Sequence, residues 1–217
     1  MHSEIRRLFR ESGKMNRVIF HVGAYNGEPF LSACLEEPSL QVFAFEPQPT
    51  MCKGIRKRSR GCDRYHLINS AVSITEGKAE FRVRKSLTCC GLSKLVEIGV
   101  EQLPEVNRKK MIHVKNLQVS TVRLDTVIKQ YNVECIDFLK VDTEGHDMLV
   151  LESLGSYLPI VQFGVVEVAL NEDTVLFSGQ STLGDLNKFM NDNGFVVTHA
   201  LPHGPCLVDA GFMNIRR

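Results

Sequence analysis

The chain has 217 residues, 43% of them apolar and 24% charged, a length that suits one ordinary domain over residues 1–217 and leaves no room for two well-cored ones. Lys plus Arg number 26 against 25 Asp plus Glu, so a net charge of +1 offers no field of one sign to gather nucleic acid or an anionic membrane. Seven cysteines without a C-x-x-C pair fit neither a disulfide framework nor a zinc site, and reduced thiols in a cytoplasmic protein are expected.

In chain order, residues 1–16 mix acids and bases around a short helix read at 4–10, with no secretory leader, and no run in the chain reaches membrane-spanning length. That helix could pack on its own chain or on a second copy, so a monomer and a homodimer are both open. Buried strands are read at 17–22, 41–45 and 65–68, each an apolar run bounded by turn residues, with helices at 28–37 and 49–59 between them. The basic run K-G-I-R-K-R-S-R at 53–60 reads as a solvated helix face, because no aromatic residues interleave it. Residues 85–116 interrupt the pattern, and so long an insertion is expected to be a lid or substrate loop, with Cys89 and Cys90 in it. The pattern resumes with a helix at 124–131, a strand at 136–141, a helix at 147–154, a strand at 161–168 and a helix at 182–193. Strands alternating with helices imply a mostly parallel α/β sheet. The last two strands, 195–199 and 206–212, are separated by Pro202, Gly204 and Pro205 and no helix, so they are expected to close the seven-stranded sheet as an antiparallel hairpin.

Two features point to a nucleotide-like cofactor. The first strand runs into G-A-Y-N-G-E, where Gly23 and Gly27 let the backbone turn tightly before a helix. The second strand runs into Glu46, placed to accept hydrogen bonds from both hydroxyls of a ribose. NAD and S-adenosylmethionine (SAM) both carry that ribose, but G-A-Y-N-G lacks the G-x-G-x-x-G spacing whose middle glycine admits a pyrophosphate.

With V-I-F-H-V-G-A-Y-N-G-E, F-A-F-E-P-Q-P, I-N-S-A-V-S, T-V-R-L-D-T-V and I-D-F-L-K-V-D-T-E-G-H-D-M-L-V-L in this order, the chain resembles the FkbM family of SAM-dependent methyltransferases over roughly residues 17–170. The resemblance implies a Rossmann-like class I methyltransferase fold and methyl transfer to a hydroxyl oxygen of a sugar or small metabolite. It implies that Gly23, Ala24 and Gly27 line the methionine and ribose end of SAM, with His21 and Tyr25 beside them. Glu46 and Pro47 would meet the ribose, Asn69, Ser70 and Ala71 the adenine, and Asp142 the sulfonium end. The family usually has an acid where this chain has His21, which alters the contact to the methionine amino group.

Asp142, Glu144, His146 and Asp147 crowd one turn, and Glu167 ends the next strand; open α/β sheets bind ligands at such strand ends. Methyl transfer is an in-line displacement that gains most from alignment, followed by loss of the hydroxyl proton to a base. Asp142, Glu144 and His146 are the catalytic candidates, His146 for its near-neutral pKa and Asp142 for its expected nearness to the methyl group. Local roles compete: Asp147 can cap a helix and Glu144-Gly145 can be turn chemistry. The pattern requires no metal, although Asp142, Glu167 and Asn171 form a set a hard divalent cation would accept. The expected partner is a small hydroxylated acceptor. Two other readings stay open: a nicotinamide-dependent oxidoreductase, disfavoured by the glycine spacing and the hairpin, and a non-catalytic binding module, motivated by His21.

Overall fold

Consecutive residues of the central strands are buried on opposite faces, so each strand feeds two cores at once. In the computed structural model, which describes residues 16–216, the strands are β1 (Arg17–Val22), β2 (Leu40–Phe45), β3 (Tyr65–Ile68), β4 (Ala71–Val72), β5 (Gly77–Arg84), β6 (His113–Val122), β7 (Ile136–Val141), β8 (Val161–Ala169), β9 (Phe195–His203) and β10 (Leu207–Asn214). The helices are α1 (Phe30–Glu36), α2 (Pro49–Arg58), α3 (Glu97–Glu101), α4 (Glu105–Lys110), α5 (Leu124–Tyr131), α6 (Asp147–Glu152) and α7 (Leu183–Asp192). The helix read at 4–10, with Phe9, lies outside the described residues. No helix among them is long and apolar enough to cross a membrane.

Seven strands form one sheet in the order β3-β2-β1-β7-β8-β10-β9. Every pairing from β3 to β8 is parallel, while β10 runs antiparallel to both β8 and β9. This is the mostly parallel sheet with a C-terminal antiparallel hairpin. Phe20, Phe43 and Phe45 point to one face, where Leu124, Val127, Ile128, Val150, Leu186 and Met190 of α5, α6 and α7 cover them. Ile19, Val42 and Ala44 point to the other and meet Phe30, Leu31 and Ile55 of α1 and α2. Burial on both faces explains why these strands read as continuous apolar runs.

A second sheet, of three strands in the order β4-β6-β5, was not expected. Its strands are half-buried and alternate: Phe81, Val83 and Val119 turn inward, while Lys78, Glu80 and Gln118 stay out. The insertion read at 85–116 is correspondingly shorter, since 113–116 belong to β6, and it carries α3, α4 and a 3-10 turn at Leu87–Cys89. The hairpin also differs from expectation. β9 runs on through Pro202 to His203, which an edge strand allows because proline there interrupts no ladder bond on the open side.

β1 sends its connections to opposite sides, to β2 and, through the later chain, to β7, so a crevice opens where the strand order reverses. The two strand ends are close: a Cβ on Gly23, at φ +79°, would sit 1.8 Å from the carbonyl oxygen of Asp142. Only glycine fits that position.

Candidate active site

The crevice holds a cavity of about 250 Å³ lined by His21, Gly23, Ala24 and Tyr25 after β1, Glu46 and Pro47 after β2, Ser70 and Ala71 after β3, and Asp142, Glu144 and His146 after β7. Nine of the cofactor residues expected from the sequence therefore share one wall; Gly27 and Asn69 do not line it. Gly27 makes the turn, its N–H donating to the Ala24 carbonyl at 2.7 Å. Asn69 Nδ2 donates to the carbonyls of Glu46 (2.9 Å) and Pro47 (3.1 Å), clamping the ends of β2 and β3 together.

Glu46 is 3% exposed, and its two oxygens accept from the amides of Tyr25 and Gln48, each at 2.7 Å. Burial pushes its carboxyl up to about 7, against the pull of those amides. Tyr25 reaches it from a left-handed conformation, φ 50°, which is strained for a non-glycine residue and here aims an amide at a ligand wall. His21 packs edge-on against Phe30 with ring centroids 4.8 Å apart. Burial, then the neighbouring Lys140 ammonium, lowers its pKa to about 3, so the imidazole is neutral, and its Nδ1 is buried without a partner.

The turn after β7 is held by Asp147, whose carboxylate accepts from the amides of Thr143 (2.9 Å) and Gly145 (3.1 Å). Burial, reinforced by Glu167 and Asp142, raises its carboxyl to about 7. Glu144 tops this turn at φ 59°, its carboxyl pushed well up by burial and by Glu167 and Asp142. His146 is anchored by Nε2 to the Ser73 hydroxyl at 3.1 Å, and burial lowers its pKa. Asp142 accepts from Lys140 Nζ at 3.2 Å, and the same ammonium lies 3.7 Å from Asp209. Burial alone would depress Lys140, but Asp142, Asp209 and Glu167 outweigh it and hold the ammonium charged.

A second cavity, also about 250 Å³, adjoins the first. Thr88, Asp142 and Glu144 line both, so the two spaces meet across these residues. It is also lined by Glu167 of β8 and His203 at the end of β9, joined by a 3.0 Å contact between His203 Nδ1 and Glu167 Oε1, and by Lys110 of α4. The Thr88 hydroxyl meets that of Ser86 at 2.8 Å, and buried Arg84 ties the same segment down, donating to the carbonyls of Cys89 and, at 2.7 Å, Ser93 and lying over the Phe177 ring. Cys90 is buried and Cys89 half-buried.

Carboxylate oxygens of Asp142, Glu144 and Glu167 lie within 4.8 Å of one another. Asn171 is elsewhere engaged: its side chain accepts from the Asp173 amide at 3.0 Å and caps a 3-10 turn. Lys140 and His203 were missed from sequence. Lysine in an otherwise apolar strand was a usable signal, since a buried lysine requires acidic partners. His203 carried none, sitting among residues that read as a loop.

A model of the methyltransferase FkbM domain matches residues 21–197. The hexuronic acid methyltransferase AglP of Haloferax volcanii is 24% identical over 199 residues, covering 89% of this chain and 75% of that one. The 31-O-demethyl-FK506 methyltransferase FkbM of Streptomyces tacrolimicus is 26% identical over 204 residues, covering 83% and 73%. Among solved structures, an rRNA methylase from Streptococcus thermophilus superposes with a TM-score of 0.49 at 11% identity over 98% of this chain and 95% of that one.

Proposed function

The chain belongs to the FkbM methyltransferase family, and from that premise we propose that it transfers a methyl group from SAM to a hydroxyl oxygen of a small acceptor, a sugar or a related metabolite. The observation that carries this reading is the pair of cavities meeting at Asp142 and Glu144, one with a buried ribose-type carboxylate and the other open to a second molecule.

The residues of the first cavity fit SAM. Glu46 accepts the ribose hydroxyls with the lone pairs its two amides leave free. The neutral His21, with its orphaned Nδ1, takes the methionine amino group as a hydrogen-bond acceptor, in the position where the family resemblance leads one to expect an acid. Ser70 and Ala71 border the adenine, and Gly23, Ala24 and Tyr25 the methionine end. When bound, SAM supplies an electrophilic methyl group on a sulfonium. Asp142, paired with Lys140, and Glu144 border that end of the cavity, and His146, tied to Ser73, backs the turn that carries them. The 85–112 segment, with Thr88 on both cavities, covers the site and excludes water.

The names of the two relatives favour an oxygen acceptor, and the hexuronic acid enzyme favours a sugar. The test is methyl transfer from labelled SAM to a panel of glucuronic acid, methyl glucoside and cyclohexanol. Labelled ether product on any of them supports the reading. SAH binding without turnover on any hydroxyl acceptor contradicts it and favours a non-catalytic module, whereas NADH binding in place of SAH favours an oxidoreductase.

A further inference from the structure

The O-methylation reading leaves one chemical need unmet, a group to receive the acceptor's proton, and two of the three candidates lining the first cavity, Asp142 and His146, are already engaged. Asp142 is paired with Lys140 at 3.2 Å, and His146 spends Nε2 on Ser73 at 3.1 Å. Resting on that reading, we propose that His203 is the base that receives the hydroxyl proton and that Glu167 is the positioning residue that holds it.

Three observations carry this. Glu167 is 3% exposed and meets His203 Nδ1 at 3.0 Å through Oε1, so a buried carboxyl group fixes the ring's orientation and, when ionised, selects the Nδ1–H tautomer, although burial raises its pKa. The His203 side chain is itself 67% exposed, which leaves Nε2 free as a proton acceptor able to discharge to solvent. Both residues line the second cavity together with Asp142 and Glu144, which also line the first, and carboxylate oxygens of Glu167, Asp142 and Glu144 lie within 4.8 Å of one another. An acceptor held there would share one cavity with the imidazole and with the two acidic residues that border the first cavity. The same carboxylate–imidazole–hydroxyl logic activates nucleophiles generally.

In the step, the proton passes to His203 Nε2 as the acceptor oxygen uses a lone pair to form the O–CH₃ bond. The electron pair of the broken S–CH₃ bond returns to sulfur, so the positive charge leaves the sulfonium and ends on the imidazolium, which then loses its proton to solvent. The groups facing the ring are Glu167 on β8, Asp209 on β10 and Asp142 after β7, with Glu144 and Lys110 lining the same cavity. Glu167 first, and then Asp209 and Asp142, raise the His203 pKa above its ordinary value against the effect of burial. Turnover at saturating SAM should therefore climb with pH through a limb lying above 6.5.

The test uses the full chain. His203→Asn keeps a donor for the buried Glu167 carboxylate while deleting Nε2. It should lower kcat by about 10²-fold or more, with SAH affinity unchanged within two-fold and the ascending limb lost. Glu167→Gln should move that limb to lower pH and lower kcat with KM little changed. Independently of turnover, ¹⁵N-histidine spectra should show His203 as the Nδ1–H tautomer, with a titration that shifts downward in Glu167→Gln. A wild type that methylates a panel acceptor while His203→Asn retains its kcat and pH profile overturns the dyad and leaves O-methylation standing. An Nε2–H tautomer overturns it as well. A wild type that binds SAH yet methylates no hydroxyl overturns the reading beneath it, and the dyad with it.

Discussion

His21 illustrates how one side chain couples stability to the cofactor wall. Its imidazole is neutral when folded, with a pKa near 3 against about 6.5 for a free histidine, so on acidification the unfolded chain takes the proton first. Stability that is present above pH 6.5 is therefore lost as the pH falls toward 3. By pH 5 the loss is about 2 kcal/mol. Glu46 and Asp147, raised to about 7, run the other way, losing stability as pH rises from about 4 to 7, and they cancel when wild type and His21→Gln are compared. Urea unfolding at pH 7.5 and pH 5 should show the wild type losing about 2 kcal/mol more than His21→Gln; equal losses would mean that His21 is not buried neutral. Gly23 makes a second point at this scale. Gly23→Ala puts a methyl group into the Asp142 carbonyl at a positive φ, and should both destabilise the chain and abolish SAH binding. A calorimetrically normal Gly23→Ala variant would disprove the close approach of β1 and β7. Residue types such as Gly23, Glu46 and Asp142 were legible because each sits next to a buried strand whose end is easy to find. His203 was not, because Pro202 and Gly204 read as loop punctuation and its partner lies 36 positions away.

Among the elements, the doubly buried strands were the easiest to read and the half-buried ones the hardest. β1, β2, β7 and β8 are mostly apolar, broken only by residues such as His21, Gln41, Lys140 and Glu167, and β1, β2 and β7 place residues in the cores on both faces of the sheet. β5 and β6 spread Phe81, Val83 and Val119 among charged residues, a period-2 signal that is weak when runs are the template. The energetic counterpart is testable on β1. Phe20 is fully buried, with ring centroids 5.0 Å from Phe43 and 5.6 Å from Phe45. Phe20→Ala should cost about 3–5 kcal/mol in denaturant unfolding. A cost below about 1 kcal/mol would show that the face is loosely packed. Elements also aim the chemistry: β9 had to extend to His203 for the hairpin to bring an imidazole beside Glu167.

For the molecule as a whole, the near-neutral net charge conceals a local acidic region, since Asp142, Glu144 and Glu167 face one cavity with Lys110, although burial pushes the Glu144 and Glu167 carboxyls toward their neutral forms and Lys140 pairs with Asp142. A neutral glycoside should therefore have a higher kcat/KM than a hexuronate of the same ring, by a margin that narrows with added salt. The reverse order would put an acceptor carboxylate on Lys110. The mostly parallel sheet with its hairpin and the strand-end residues that line the first cavity were readable in sequence because those residues directly follow the strands that carry them. The second cavity was not, because α4, β8, β9 and the 85–112 segment come together only in the folded chain.

The measurement that tests the central claim most directly is calorimetric titration of the wild type and Glu46→Gln with S-adenosylhomocysteine at pH 8 and pH 6. Hydrogen bonds from the ribose favour the ionised carboxylate, and Glu46 titrates near 7, so wild-type affinity should weaken as the pH drops. Charge-assisted hydrogen bonds contribute about 1.5–3 kcal/mol each, so Glu46→Gln should bind at least about 10-fold more weakly at pH 8 and show little dependence on pH. Wild-type protein that binds no S-adenosylhomocysteine, or a Glu46→Gln variant that binds it as tightly as wild type at both pH values, would contradict the account.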